Sequence, residues 1–546
     1  MKPHWILLFL SLALLASAHA QDTVRFSARI LDADTGQPIG CRIHLVDAEG
    51  KYLPPDGHSE SFYLGHFGEK LSDRELNLQN RDKTWALLED GTFSIELEAR
   101  DGYVLHIVRG HEYERKPIAI NLTGKTGAVS ETFTLKRIIY MKELGWMSGD
   151  SHVHNLTPEG AAWQQRIVDV NYVHLMFMGD VYHQVGDHVH GRESSVSKDG
   201  WFVDVSQEQR DANMGHLTTF MMKDHVHPLK RATGTGPETK SPNEPLNWEV
   251  ADYLHDQGGF VFHAHYLIWP GYGSAWSSAL GKLDGIEWLS PDFWSLQTNT
   301  RQKIDVDGFG KINSAELWYH MLNCGIQLPL TGGTDKMGAT WIVGGKNRFY
   351  AKVDEWSWDG MMDGLKQGRT FVTNGPLLIV TANGQDIGTK FKSDAESMNV
   401  TLDIKMISEK QVDVVELIRN GKVEKSWDTS SDGKSFESTF DLTFEASGWC
   451  AVRVRSKDPH WDTWGRRPSL TAAHTSPFYI TLKDTPPTNS HSAQYMIGRM
   501  DETIEWHGTD AIWSTKEYED RALQSLIDAK AYYEEALARA GKDLIP

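Results

Sequence analysis

Cysteine is nearly absent: 546 residues carry only Cys41, Cys324 and Cys450. An odd, scattered set builds no disulfide framework, and none has a Cys or His at metal-ligand spacing. Cys324, in Leu322-Asn323-Cys324-Gly325, reads as buried packing. The chain has no Gly-x-Ser-x-Gly elbow and no reactive-cysteine context, so nothing favours a covalent nucleophile. Positive charge is in deficit. The 55 Lys and Arg face 74 Asp and Glu, a net charge of −19, which argues against nucleic acid or an anionic membrane as partner. Long apolar runs are missing too. The one at residues 6–16 is too short to span a bilayer. Lys2 and His4 precede it and Ala18-His19-Ala20 follows, so residues 1–20 read as a signal peptide cleaved before Gln21. The expectation is a secreted or periplasmic protein with no membrane span. No Cys follows the cleavage site, which speaks against a lipoprotein.

Aromatics, by contrast, are common, with 20 Trp. Large cores account for them, as would a site for sugars or aryl groups; composition does not choose, and the cores are the plainer reading. The length implies several domains. From 21 to 140 the pattern has period two: Phe26, Ala28 and Ile30, then Ile43 and Leu45, then Phe93, Ile95 and Leu97. Turn signals such as Asp34-Thr35-Gly36 separate the runs, which predicts an all-β sandwich. Its opening, residues 28–38, resembles carboxypeptidase-regulatory-like modules. From 141 to 376, short apolar runs ending in His or Asp alternate with helical stretches, the pattern of an α/β barrel. Alternation returns from 377 to 485, with Asn420-Gly421 as a hairpin turn, and predicts a second sandwich. Residues 486–546 read as a linker and a helical tail, with Leu523, Leu526, Ile527, Tyr533 and Leu537 on one face of the last helix.

The chemistry concentrates in the middle region. Gly149-Asp150-Ser151-His152-Val153-His154 ends a strand-like run. Side chains two apart on a strand point the same way, so His152 and His154 are placed to grip one metal ion. Further candidate ligands follow apolar runs: Asp180 in Met178-Gly179-Asp180, Glu208 and His216 in residues 207–217, His263 and His265 after Gly259-Phe260-Val261-Phe262, and Asp335 in Gly332-Gly333-Thr334-Asp335. Neutral imidazoles with one or two carboxylates suit zinc, manganese or iron. Glu208 is the candidate bridge between two ions. His183, His188, His190, His225 and His227 crowd the same region. Lys336 and Arg348 are candidates to stabilise an anionic substrate group, though a rim ion pair explains them equally. Residues 305–316 match an EF-hand loop at positions 1, 3, 6, 8 and 12, but Phe309 supplies no oxygen at position 5, and a surface loop is the better reading.

These motifs, together with Asp284-Gly285-Ile286-Glu287, Leu322-Asn323-Cys324-Gly325 and Val372-Thr373-Asn374-Gly375-Pro376, resemble the polymerase-and-histidinol-phosphatase (PHP) superfamily of metallohydrolases, and within it the CehA/McbA-type branch. The resemblance covers residues 145–482. It implies a distorted (β/α)7 barrel with metals at the carboxyl ends of its strands. It further implies His152, His154, Glu208, His216, His265 and Asp335 as metal ligands; Asp180 stays a candidate ligand from its place after an apolar run, and Asp335, Glu208 and His265 are the catalytic candidates. His263, Lys336 and Arg348 are the candidates to face substrate. The chain departs from the family pattern twice. Gly179-Asp180-Val181 and Thr334-Asp335-Lys336-Met337 each lack an imidazole, which points to one or two ions rather than three. The functional expectation is a metal-dependent hydrolase acting on an ester, carbamate or phosphoester of a small-molecule or carbohydrate-linked substrate. The rival reading is a metal-containing binding protein for an extracellular polymer, using aromatic loops such as residues 458–464.

Overall fold

A computed structural model of the chain describes residues 23–57, 85–154, 156–177, 188–211, 213–228, 242–265, 271–289, 305–306, 310–311, 315–335, 345–457 and 470–542. The expected signal peptide, Asp180, His183, Lys336 and the loop 458–464 lie outside these residues. The described residues form a mixed α/β structure dominated by sheet, with seven α-helices. None of these helices is long and apolar enough to cross a membrane.

The N-terminal region has two sheets around one core. The strand Thr23–Asp32 lies between Thr92–Glu98, antiparallel to it, and Gly127–Leu135, parallel to it. Cys41–Val46, Ala86–Leu88, Tyr103–Val108 and Lys116–Ile120 make the second sheet. The period-two residues Phe26, Ile30, Ile43, Leu45, Phe93 and Ile95 all face the shared core, because alternate side chains leave a strand on opposite faces. The Asp34-Thr35-Gly36 turn closes on Asp32, whose Oδ1 accepts from the backbone N–H groups of Asp34 and Thr35.

Among the described residues, nine strands of the middle region join one sheet: β1 (Trp146–Val153), β2 (Tyr172–Phe177), β3 (Phe202–Gln209), β4 (Leu217–Phe220), β5 (Phe260–His263), β6 (Gly285–Leu289), β7 (Leu330–Gly332), β8 (Arg348–Lys352) and β9 (Thr370–Thr373). Their order is β7-β6-β5-β4-β3-β2-β1-β8-β9. The pairs β1/β2, β2/β3, β5/β6 and β6/β7 are parallel. Helices α1 (Pro158–Val168), α2 (Asn247–Asp256), α3 (Tyr272–Ala279), α4 (Ala315–Asn323) and α5 (Trp358–Lys366) connect or flank them. Every residue of β1 is buried, as expected of a strand covered on both faces. The sheet curls until the end of β7 meets β1. There the backbone N–H of Thr334 donates to Asp150 at 2.9 Å, and a Cβ on Gly333 would lie 2.5 Å from that of His152.

The strand–helix alternation is interrupted between β3 and β4. The strands β3 and β4 follow each other without a helix and pair antiparallel, with Glu208 opposite Thr218, and β4 is antiparallel to β5 as well. Among the described parts of the EF-hand-like segment, Asp305–Val306 pairs with Gly310–Lys311 as a short antiparallel ladder.

The sheet does not stop at residue 376. The strand β9 pairs with Ala472–Thr475, and the ladder continues through Gly448–Arg455 and Val414–Arg419 to Lys422–Asp428. The Asn420-Gly421 turn has φ of 49° and 83°, the left-handed pair that a tight hairpin requires. A second sheet, Gln385–Asp386, Leu377–Ala382, Met398–Ile407 and Ser435–Phe444, packs over this ladder.

The tail is two helices docked on the middle region, α6 (Ser490–Thr509) and α7 (Lys516–Lys542). The Tyr533 hydroxyl donates to the Ala275 carbonyl at 2.9 Å and that of Tyr532 to Cys324 at 3.0 Å. The buried face of α7 is Ala522, Leu526, Ala529, Tyr533 and Ala536. This corrects the sequence expectation: Ile527 is 48% exposed, and alanines let the helix pack closely.

Candidate metal centre

The end of β1 delivers the histidine pair. The β1/β2 pairing has an irregularity between Asp150 and Val153, and such bulges re-aim side chains beside functional sites. Asp150 does not face the cluster. It is fully buried and accepts from the backbone N–H of His152 (3.2 Å), Thr334 (2.9 Å) and Gly345 (2.8 Å) and from the Thr334 hydroxyl (2.6 Å). It thus straps β1 to the segment that carries Asp335.

Both rings of the pair are held from behind. His152 Nδ1 lies 2.8 Å from Glu287 Oε2, and His154 Nδ1 lies 2.7 Å from the Met176 carbonyl oxygen. Both partners are acceptors, so both Nδ1 atoms carry a hydrogen, and each ring, when neutral, presents a lone pair at Nε2. These two Nε2 atoms face each other at 2.9 Å. Two lone pairs at that distance repel unless a cation or proton sits between them.

Glu208, at the end of β3, faces four imidazoles. Its Oε1 is 2.8 Å from His216 Nδ1, 3.1 Å from His265 Nε2 and 3.6 Å from His152 Nε2, while Oε2 is 3.1 Å from His154 Nε2. The direct β3–β4 connection is what brings His216 to Glu208. Asp335 closes the cluster: Oδ1 is 3.4 Å from His152 Nε2 and 3.6 Å from His154 Nε2, and Oδ2 is 3.9 Å from His265 Nε2. Its side chain is 18% exposed, against 1% for Glu208, so Asp335 is the carboxylate that meets solvent. His265 and Asp335 both adopt positive φ, 26° and 42°. Non-glycine residues seldom do so outside turns and functional sites, where the surroundings must hold them.

The electrostatics match a cation site. Burial opposes the charge on His152, but Glu287, Asp335 and Glu208 outweigh it and raise its pKa well above the ordinary histidine value. Burial likewise opposes ionisation of Glu208, yet Arg210, His216 and His152 hold its carboxyl well below the usual range. Burial, only partly offset by Glu208, pushes His216 down to about 4, which keeps it a neutral ligand at neutral pH. Three overlapping sets have ligand atoms within 4.8 Å of one another: His152, His154 and Glu208; His152, His265 and Asp335; and Glu208, His216 and His265. This donor chemistry, with Glu208 common to two sets, could hold a metal ion.

Two candidates for the substrate face are structural instead. The Arg348 guanidinium is buried and donates to the carbonyls of Gly345, Asp169 and Val168 at 2.7, 2.8 and 3.1 Å, tying β8 to the end of α1. His263 is fully buried beneath Gly215, with its ring nitrogens 3.2 and 3.4 Å from the carbonyl oxygens of Ala264 and Met214, and burial pushes it down to about 4. His225 packs edge-on against Phe177.

Two residues near the centre were given no role in the sequence reading. Arg210 places Nε 3.4 Å from Glu208 Oε2; its signal was the two-residue spacing from Glu208. Glu287 supports His152, and its signal was a lone carboxylate between Ile286 and Trp288 in an apolar strand. No protein-family model and no curated protein matches this chain.

Proposed function

We propose that this chain is a secreted, metal-dependent hydrolase of the PHP superfamily, CehA/McbA type. In this reading the curled sheet is a distorted (β/α)7 barrel, and β-sandwiches flank it. The reaction is water-driven cleavage of an ester, carbamate or phosphoester in a small-molecule or carbohydrate-linked substrate. One observation carries it: two imidazole Nε2 lone pairs 2.9 Å apart, each ring locked from behind, among two carboxylates and two further imidazoles.

His152, His154, Glu208, His216, His265 and Asp335 would hold one or two divalent ions. Such an ion supplies Lewis-acid polarisation of the substrate oxygen and makes a water acidic enough to react near neutral pH. Glu208, buried and ringed by imidazoles, serves to hold the ligands together. Asp335, open to solvent, orients the attacking water and takes its proton. With one ion held by His152, His154 and Glu208, His265 Nε2 stays free to receive that proton from Asp335, 3.9 Å away, and return it to the leaving group.

The test is metal analysis of the purified protein together with hydrolysis of nitrophenyl phosphate, acetate and carbamate esters. Bound zinc, manganese or iron with turnover of at least one ester class is the expected result. Metal-free, inactive protein would defeat the reading. Metal without turnover would favour the binding-protein alternative.

A further inference from the structure

Glu287 is a fully buried carboxylate behind the His152 ring. Its strand places it between Ile286 and Trp288, and all three are buried. The carboxylate is wedged where β6 meets the ends of β1 and β7. A Cβ on Gly333 would come within 2.6 Å of Glu287 Oε1 and 2.5 Å of the His152 Cβ, so only glycine admits this approach.

Its contacts are unequal. Oε2 accepts two hydrogen bonds, from His152 Nδ1 at 2.8 Å and from the His265 backbone N–H at 2.7 Å. Oε1 has no hydrogen-bond partner among the described residues. A buried carboxylate is costly unless positive charge lies close. The His152 ring brings that charge, either as its own second proton or as the proposed ion at Nε2. A carboxylate behind a ligating imidazole fixes its tautomer and strengthens the lone pair offered to the metal. The second bond holds His265 in its positive-φ conformation. His152 and His265 belong to different ligand sets apart from the one they share with Asp335, so one carboxylate oxygen sets both.

Resting on the metal reading above, we propose that Glu287 is the positioning carboxylate of the centre. It tunes metal affinity through the His152 ring and the His265 backbone without binding the ion. The experiment uses the full chain and its Glu287→Gln variant. Zn²⁺ affinity is measured by competition with a chromogenic chelator, the visible spectrum is recorded with Co²⁺, and thermal unfolding is followed without metal. Glu287→Gln is expected to weaken Zn²⁺ binding by about 10–100-fold and to shift the Co²⁺ bands, because charge is lost while shape is kept. Unchanged affinity and spectrum would overturn the proposal and leave the metal centre standing. A wild-type protein that binds neither ion would overturn the centre itself. If Glu287→Gln does not fold, Glu287→Asp, which keeps the charge but withdraws it by one methylene, takes its place. A weakened Zn²⁺ affinity supports the proposal and an unchanged one overturns it.

Discussion

At the residue scale, the centre separates groups placed to take an ion from groups that hold those groups still. His152→Ala removes a member of two ligand sets and Asp335→Ala a member of one. Both variants are expected to keep their circular dichroism and to lose bound metal by elemental analysis, the first more completely. Unchanged metal content in both would show the assignment to be wrong. Asp150 belongs to the second class despite standing in the same motif. Asp150→Ala would leave the buried Thr334 and Gly345 N–H groups without their acceptor, at about 1–3 kcal/mol for each unsatisfied group. Urea unfolding of the metal-free variant is expected to show that loss. A variant as stable as the parent would contradict the strap. Sequence spacing alone treats Asp150, His152 and His154 alike. The bulge at the end of β1 sets them apart, by turning Asp150 toward residues 334 and 345 instead of the cluster.

At the element scale, what was legible depended on how local the cause was. The period-two strands, the Asp34-Thr35-Gly36 turn and the Asn420-Gly421 hairpin follow from side-chain alternation and from residues that tolerate positive φ. The β3–β4 hairpin was not legible as an exception to strand–helix alternation, since its pairing is set by neighbours distant in the chain. Helix α7 makes a similar point. A period of 3.6 located its apolar stripe, but the partner surface of α3, α4 and α6 chose the alanine-bearing side and left Ile527 out. Leu526→Ala is therefore expected to cost about 2–5 kcal/mol and Ile527→Ala less than about 0.5, read as a difference in urea midpoint. Equal costs would refute the docking face.

At the scale of the whole molecule, the middle region, the C-terminal sheets and the tail share buried seams that carry neutral histidines. The Tyr319 hydroxyl donates to His474 Nε2 at 2.6 Å, and His474 Nδ1 donates to the Thr475 carbonyl at 2.7 Å. His320 Nδ1 lies 3.0 Å from the Ser492 hydroxyl. Burial pushes His320 down to about 4 and His474 to about 3, whereas an unfolded histidine titrates near 6.5. Between those values the unfolded chain binds more protons than the folded one. The stability from these two groups is therefore complete above about pH 6.5 and declines as pH falls toward 4 and then 3. Urea midpoints of the metal-free protein should fall across that window, and the fall should be shallower in His474→Asn and His320→Gln. A slope that neither substitution alters would exclude the seams as its cause.

From sequence alone came the acidic balance, the scarcity of cysteine, the alternating and helical textures, and a set of imidazoles and carboxylates at the ends of apolar runs. Each is a property of composition or of neighbours a few residues apart, and local geometry suffices to read it. Tertiary structure alone decided which of those side chains share one point in space. It drew His152, His154, Glu208, His216, His265 and Asp335 together, turned Arg348 and His263 to structural duty, and supplied Glu287 as the support. The physical reason is that a ligand set is a long-range contact. It exists only when a sheet curls far enough for β7 to meet β1, and no spacing along the chain encodes that closure.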